Sequence, residues 1–257
     1  MSARPVGAIA RRPEEIAAER TRAELGLGVE APIADILATV EDLAAIPVTV
    51  AELPNQIAGI YVRRRDQPFI FVNGTHIPVR QRFTLAHELG HHVLGHRQRV
   101  DVTQDVFGAP KDPDEVAANY FAGAFLAPRT AVRNWADRHL EHPRDLELVV
   151  RAGAFFGVSA PTARIRLERA GVLRKSESSR IAEQIGNQDH YGLLGYLGLS
   201  QTHDELARLH AGGELPRLPA RMTTAARRAH EAGLIDDDEF AEVLQGRTEL
   251  SAVTDHE

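Results

Sequence analysis

The chain has 257 residues, of which 43% are hydrophobic and 26% are charged, and this composition is typical of a folded globular protein. The net charge of -6, from 30 basic and 36 acidic residues, argues against a protein that mainly coats nucleic acid. Because the chain has no cysteine, disulfides and thiolate metal ligands are excluded, and any metal must be held by His, Asp or Glu.

The N-terminus does not have the pattern of a secretory signal peptide. Only a short apolar stretch precedes Arg11 and Arg12. The chain also contains no run of about 18 apolar residues, the length that would span a membrane. We therefore expect a cytoplasmic protein without membrane contact.

The first part of the chain combines helical and strand patterns. Pro13 and Gly26 are typical start and stop residues for a helix between them, and apolar residues at helical spacing predict a second helix over 32–45. Three short β-branched or aromatic runs follow, near 47–53, 57–64 and 68–74. An antiparallel meander is the simplest arrangement of three such strands.

Helices dominate the rest of the sequence. Pro78 begins a long predicted helix that ends near His96, a polar and turn-rich segment covers 97–113, and a further helix covers 114–126. Two or three helices fill 129–171, and the region from about 176 onward is mostly helical.

The segment FTLAHELGHHVLGH, residues 83–96, places four histidines around one glutamate. His87 and His91 lie one turn apart on one face of the predicted helix, as two imidazoles must to bind one Zn²⁺. Glu88 completes the H-E-x-x-H pattern and lies beside that face, where it can accept a proton from metal-bound water. His92 is rotated about 100° from His91, which predicts a polar surface or supporting position. The alternative for the whole segment is a helix surface with solvated histidines.

A hydrolytic zinc site needs a third protein ligand and an open fourth position. The same helix does not supply the ligand, because Leu94 and Arg97 stand where H-E-x-x-H-x-x-G-x-x-H needs Gly and His. Glu115 in the following helix is the favoured third ligand, and Asn119, one turn further on, can orient a ligand by hydrogen bonding. Asp114 competes with Glu115 as the candidate third ligand. The weaker candidates, all in the turn-rich segment, are Asp101, Asp105 and Asp112.

The stretch RQRFTLAHELGHHVLGH, followed by E-x-x-A-N-x-F-A and a Leu-x-Pro ending, resembles the ImmA/IrrE family of zinc metallopeptidases. The resemblance covers about residues 15–130, and 130–172 more loosely, and it includes a strand that ends in Asn73 before the active-site helix. Ala117 departs from the family pattern, in which the residue before the Ala-Asn pair is often acidic. Glu115 is then the only carboxylate in the required helical register.

The resemblance implies a thermolysin-like site with one Zn²⁺ per chain. The implied zinc ligands are His87, His91 and Glu115, and Glu88 is the implied general base. Family members typically cleave a helix-turn-helix repressor and so derepress phage, mobile-element or stress genes, which implies such a regulator as the substrate in a bacterial or phage setting. The oxyanion-stabilising group stays open among Tyr61, His92, Tyr120 and Arg82.

Residues 145–172 have a helix-turn-helix pattern, with Gly157 in the turn and Ser159 as an N-cap. Seven basic and three acidic residues between positions 144 and 175 give a local charge of +4, which favours DNA contact. The residues placed for contact with DNA or substrate are Arg164, Arg166 and Arg169. We nevertheless favour packing against the peptidase or substrate docking over DNA binding. The opposing hypothesis is a DNA-binding or partner-binding regulator that uses this segment and has a non-hydrolytic zinc fold.

Residues 218–245 predict two amphipathic helices that are separated by Gly233, with Asp236 at the start of the second. They indicate either an interaction hairpin or a solvated appendage. We expect an α+β protein made of a minimal zincin-like peptidase domain, with helices and a three-strand antiparallel meander, followed by helical segments. The expected divisions are a zinc metallopeptidase domain over 1–130, a helix-turn-helix-like segment over 131–175 and a C-terminal interaction region over 176–257.

Overall fold

A computed structural model of the protein describes residues 10–28, 30–64, 66–97, 99–103, 106, 110–139, 145–209 and 215–245. The first elements are helix α1 (Pro13–Glu24), the short helix α2 (Ile36–Ala38) with a π-helical turn over Thr39–Leu43, and strands β1 (Val48–Ala51), β2 (Ile57–Arg64) and β3 (Gln67–Asn73). Helix α3 (Pro78–Val93), strand β4 (Arg99–Val102) and helix α4 (Pro113–Leu126) follow. The α+β class is therefore confirmed.

The remaining described elements are all helices. They are α5 (Arg129–Asp137), α6 (Leu146–Phe156), α7 (Ala160–Arg169), α8 (Lys175–Gly186), α9 (Asp189–Tyr196), α10 (Ser200–Ala207), α11 (Ala220–Glu231) and α12 (Asp237–Leu244). None of the helices in the described ranges is both long and apolar enough to cross a membrane.

The sheet has the strand order β1-β3-β2-β4, so the predicted meander is wrong in its connections. Strands β2 and β3 form an antiparallel hairpin, but β1 pairs with β3 in parallel, with Val48 opposite Ile70. The chain between β1 and β2 must therefore pass the end of β3. Asn73, fully buried there, donates from Nδ2 to the carbonyl oxygens of Leu53 at 3.1 Å and Ile57 at 2.8 Å. This one amide ties the crossing connection to β3.

Strand β4 adds a fourth strand where we expected only turns. It pairs with β2 in an antiparallel ladder that places Asp101 opposite Gly59, next to an irregularity between Ile57 and Gly59. Its four residues, RVDV, alternate between polar and apolar, but the run is too short and its surroundings too polar for that pattern to identify a strand. Its pairing is decided by contact with β2, which local sequence does not encode.

Helix α3 packs on β2, β3 and α4. A Cβ atom at Gly90 would lie 3.0 Å from Cδ1 of Phe121, so the glycine permits the close approach of α3 and α4. Val149 and Phe156 of α6 belong to the same buried apolar cluster as Leu85 of α3. The hydrophobic core therefore runs from the sheet into the helix-turn-helix-like segment. The division of the chain at 130 and 175 stays a prediction.

The two helices and the turn between them form as predicted, while the helix-turn-helix assignment stays a prediction. Helix α6 ends at Gly157, whose φ of 64° is left-handed, and Ser159 caps α7 by accepting a hydrogen bond from the amide of Thr162. Near the C-terminus, Gly233 has a φ of 69° between α11 and α12, and Asp236 caps α12. The expected pair of helices is present there, and its role in interaction stays a prediction.

Candidate metal centre

Four buried side chains from three elements meet beside the sheet. His87 and His91 come from α3, Asp101 from β4 and Glu115 from α4, and one donor atom of each lies within 4.8 Å of all the others. Asp101 is 1% exposed and the other three are fully buried. We call these four residues the donor set.

The spacing of the donor atoms matches a tetrahedral metal site. Nε2 of His87 lies 3.0 Å from Nε2 of His91. Glu115 lies 3.2 Å from His87 and 3.4 Å from His91, and Oδ2 of Asp101 lies 3.4 Å and 3.3 Å from the same two nitrogens. Four ligands at about 2.0–2.1 Å from a central zinc are separated from one another by about 3.3–3.4 Å. The residues present therefore fit a tetrahedral divalent metal ion.

Glu88 is fully buried and precedes His91 by three residues on α3, next to the donor set. Its space depends on Gly59 of β2, because a Cβ atom at that position would lie 2.2 Å from Oε1 of Glu88 and 2.6 Å from Cγ2 of Thr84. A side chain at position 59 would therefore push the Glu88 carboxylate away from the donor set.

Charge also points to a cation. The donor set and Glu88 together contain three carboxylates and two imidazoles, and buried charge needs compensation. Burial alone lowers the pKa of His87, but contact with Asp101 and Glu115 outweighs it and raises that pKa. Burial raises the pKa of Asp101, but the hydrogen bond to His87 and the charges of His87 and His91 lower it overall. A bound divalent cation would compensate the charge of these buried carboxylates.

Supporting hydrogen bonds orient both imidazoles. Oδ1 of Asn119 lies 3.1 Å from Nδ1 of His87; an amide oxygen only accepts, so that nitrogen carries the proton and Nε2 is left for the donor set. Nδ1 of His96 lies 2.9 Å from Nδ1 of His91. His96 reaches this place because Gly95, with a φ of 72°, turns the chain after α3 back onto the helix.

The other acidic candidates for the third metal ligand lie in different places. Asp114 is half-exposed and lies 3.6 Å from His96, outside the donor set. Asp112 caps α4 by accepting a hydrogen bond from the amide of Asp114 at 2.8 Å, and Asp105 lies outside the described residues. Asp101, a weaker candidate in the sequence, is brought into the donor set by β4. Alternation of side chains in a strand paired with β2 was the missing signal.

The four oxyanion candidates also have different surroundings. Arg82 is fully buried and donates to the carbonyl oxygens of Ile33 and Leu206, so its guanidinium joins distant segments. The ring of Tyr120 lies between the guanidinium groups of Arg12 and Arg169, at 4.0 Å and 4.1 Å.

Tyr61 and His92 form a pair, with the tyrosine hydroxyl 3.0 Å from Nδ1 of the histidine. Burial and then the charge of Arg63 lower the pKa of His92, while burial raises the pKa of Tyr61.

The arginines of α7 are not a free basic face. Arg166 is 2% exposed and donates to Glu15 at 2.6 Å and to the carbonyl oxygen of Ala127 at 2.8 Å, so its guanidinium is engaged within the protein, and its contact with DNA or substrate stays a prediction. Arg164 donates to the hydroxyl of Ser178, and Arg169 lies 3.7 Å from Glu15. A count of basic residues could not show that this helix turns Arg166 toward α1.

A cavity of about 1020 Å³ lies between α3, α4, α6, α7 and the helices that follow. Asn119 reaches its wall, but no member of the donor set does. The donor set is thus closed off from this cavity.

A helix with H-E-x-x-H, a carboxylate from the next long helix and a small sheet beside them define a metallopeptidase domain of the zincin type. Residues 44–168 match the family model Peptidase_M78, described as the IrrE N-terminal-like domain, and this region of the chain belongs to that family. The ImmA/IrrE resemblance is therefore confirmed. A comparison of the chain with curated proteins finds no match.

Proposed function

We propose that the protein is a cytoplasmic zinc endopeptidase that cleaves a helix-turn-helix transcriptional repressor, with one Zn²⁺ per chain. The observation that carries the proposal is the buried set of His87, His91 and Glu115 beside Glu88, inside a region that matches a peptidase family. Two imidazoles and a carboxylate are the ligand type of hydrolytic zinc sites.

The chain's own residues have distinct tasks in this proposal. His87 and His91 present their Nε2 atoms to the metal, and Asn119 holds His87 in the tautomer that permits this. A zinc ion held there would supply a Lewis acid that lowers the pKa of a bound water to about 7. Glu88 accepts the proton released during attack and returns it to the leaving amine. The close packing at Gly59 holds the Glu88 carboxylate near the donor set.

Several observations support a peptidase rather than a DNA-binding regulator. Arg166, at the centre of the basic helix α7, is buried against Glu15 and cannot reach a phosphate. Val149 and Phe156 of α6 are part of the peptidase core. These contacts favour the structural interpretation of the segment. The repressor substrate rests on the family resemblance alone.

The test compares wild type with Glu88→Gln in source cells that lack the native protein. New protein N-termini are identified by mass spectrometry after induction, and the metal content of both purified proteins is measured by native mass spectrometry. We expect about one zinc in each protein, and a new N-terminus inside a helix-turn-helix regulator with wild type only. A matched control, Glu24→Gln, removes a surface carboxylate of α1 and should cleave as wild type does.

Three results would contradict the proposal: no zinc in wild type after reconstitution, no new N-terminus that depends on Glu88, or cleavage only of proteins that are not transcriptional regulators. The third result would overturn the substrate and leave the peptidase.

A further inference from the structure

We propose that Asp101 is a fourth protein ligand of the metal and that strand β4 is a built-in inhibitory strand, which must leave β2 before a substrate can enter. This inference rests on the proposed function, because it concerns access to the same metal centre. It assigns to the chain a closed, latent form of the peptidase.

The first step is the position of the Asp101 carboxylate. A single oxygen, Oδ2, lies 3.4 Å from Nε2 of His87 and 3.3 Å from Nε2 of His91. Glu115 approaches the same nitrogens at similar distances but through both of its oxygens, with Oε2 at 3.2 Å from His87 and Oε1 at 3.4 Å from His91. A catalytic zinc has three protein ligands and leaves the fourth position to water or substrate. Asp101 provides the fourth donor and so occupies that position.

The second step is what β4 does to the sheet. Peptides that bind in an extended conformation commonly add a strand to an exposed sheet edge. Strand β2 already pairs with β3 on one side, and β4 covers its other side, with Asp101 opposite Gly59. Gly59 is also the residue that touches Glu88. The edge of β2 that passes closest to the general base is thus covered by the chain's own strand.

The third step is access. His87, His91, Glu115 and Glu88 are fully buried, and Asp101 is 1% exposed, so neither a peptide nor bulk water reaches them in this arrangement. Asn119 lines the neighbouring cavity, and no member of the donor set does. Removal of β4 would uncover the edge of β2 and withdraw the Asp101 carboxylate in one movement, because both belong to the same four residues. An extended peptide paired with β2 would then lie where β4 had been.

Strand β4 suits such a role because it is a short strand at the edge of the sheet. Among the described strands it pairs only with β2. Short edge strands are among the elements that open at low free energy. A backbone hydrogen bond of 2.8 Å from Thr103 to Gln56 continues the ladder by one residue. The contacts of Asp101 with His87 and His91 also hold the strand in place.

The experiment uses the full chain as wild type, Asp101→Asn, Asp101→Ala and the control Asp137→Asn. Asp137 is an exposed residue at the end of α5, so the control changes charge without touching the centre. Zinc affinity is measured by competition with a chelator, and coordination by the visible absorption of the Co²⁺-substituted protein. Amide hydrogen exchange of 99–102 is followed with and without zinc, and cleavage of a random-sequence peptide pool is measured per zinc-loaded chain.

We expect Asp101→Ala to weaken zinc binding by at least about tenfold, the lower end of what loss of a supporting metal-site residue does. Its Co²⁺ spectrum should change, exchange of 99–102 should no longer slow on zinc addition, and the rate of peptide cleavage should rise. Asp101→Asn, which keeps the side-chain shape, should change in the same direction.

Unchanged affinity, spectrum and exchange in both Asp101 variants would overturn this inference and leave the proposed function intact. A cleavage rate that falls together with zinc affinity would also overturn it, because Asp101 would then support the active site. Failure of wild type to bind zinc would overturn both, so the two failures are distinguishable.

Discussion

Two clusters of buried charged side chains in the described part of this protein are built differently. In the first, Glu15 of α1 is 2% exposed and contacts Arg166 at 2.6 Å, Arg129 at 2.9 Å and Arg169 at 3.7 Å. We call these four residues the Glu15 cluster. In the second, the donor set and Glu88 bring three carboxylates together with two imidazoles.

The difference shows that burial of charge does not by itself mark a functional site. The Glu15 cluster carries its own compensation, because guanidinium groups remain charged at all ordinary pH values. It joins α1 to α5 and α7, which are distant in sequence. In the metal centre the carboxylates face imidazoles, and these are the oxygen and nitrogen donors that divalent metals bind. The type and spacing of the donor atoms, rather than the burial of charge, are the features that indicate a metal site.

The largest expected effect is on stability and comes from a substitution that disrupts the Glu15 cluster. Arg166→Met leaves a buried carboxylate with weakened compensation and should lower the free energy of unfolding by about 3–5 kcal/mol. Urea denaturation measures the loss, and zinc content of the folded protein should stay near one per chain. Arg180→Met, at an exposed position of α8, is the control and should change stability by less than about 0.5 kcal/mol. A loss of zinc with unchanged stability would reverse the roles that we give to the two clusters.

The second prediction acts on the metal centre alone. Asn119→Ala removes the acceptor that fixes His87 and should weaken zinc binding by about 10–100-fold. Urea denaturation of the metal-free protein should be nearly unchanged, in contrast to Arg166→Met. The control is Asn134→Ala, which removes a surface hydrogen bond to Glu30. Equal zinc affinity in both variants would show that Asn119 does not orient His87.

The sequence predicts a site best where its members share one helix. His87, Glu88 and His91 follow from helical periodicity, and Glu115 and Asn119 follow from the periodicity of a second helix that packs on the first. Asp101 was only a weaker candidate in the sequence, because a strand pairing, not a local pattern, brings it to the metal centre. Long-range register of this kind depends on the partner strand, and a short polar segment does not specify it.

The same distinction explains the arginines of α7. Their number predicts a basic surface, but the face that each one occupies depends on how α7 packs against α1. The sheet order is a similar case, because three strands of the right length fit several connections. Periodicity thus predicted most of the helices and strands, although not β4. How the strands pair and which face of each helix is buried depend on contacts that form only in the folded chain.

The smallest expected effect concerns pH and the Glu15 cluster. Burial alone raises the pKa of Glu15, but Arg166, Arg129 and Arg169 outweigh it and lower that pKa below its ordinary value. A carboxyl with a lowered folded pKa contributes stability above its unfolded pKa of about 4.3, and that contribution is lost as pH falls through the folded pKa. The stability difference between zinc-loaded wild type and Glu15→Gln should therefore be largest near pH 6 and shrink on acidification below about pH 4.

Urea midpoints over this pH range measure that difference, and Glu24→Gln, with its surface partner Arg20, should show almost none. A difference between wild type and Glu15→Gln that does not change with pH would mean that the arginines do not hold Glu15 ionised. The contrast with the metal centre would then be lost, because both buried groups would depend on protons or added ions for their neutralisation.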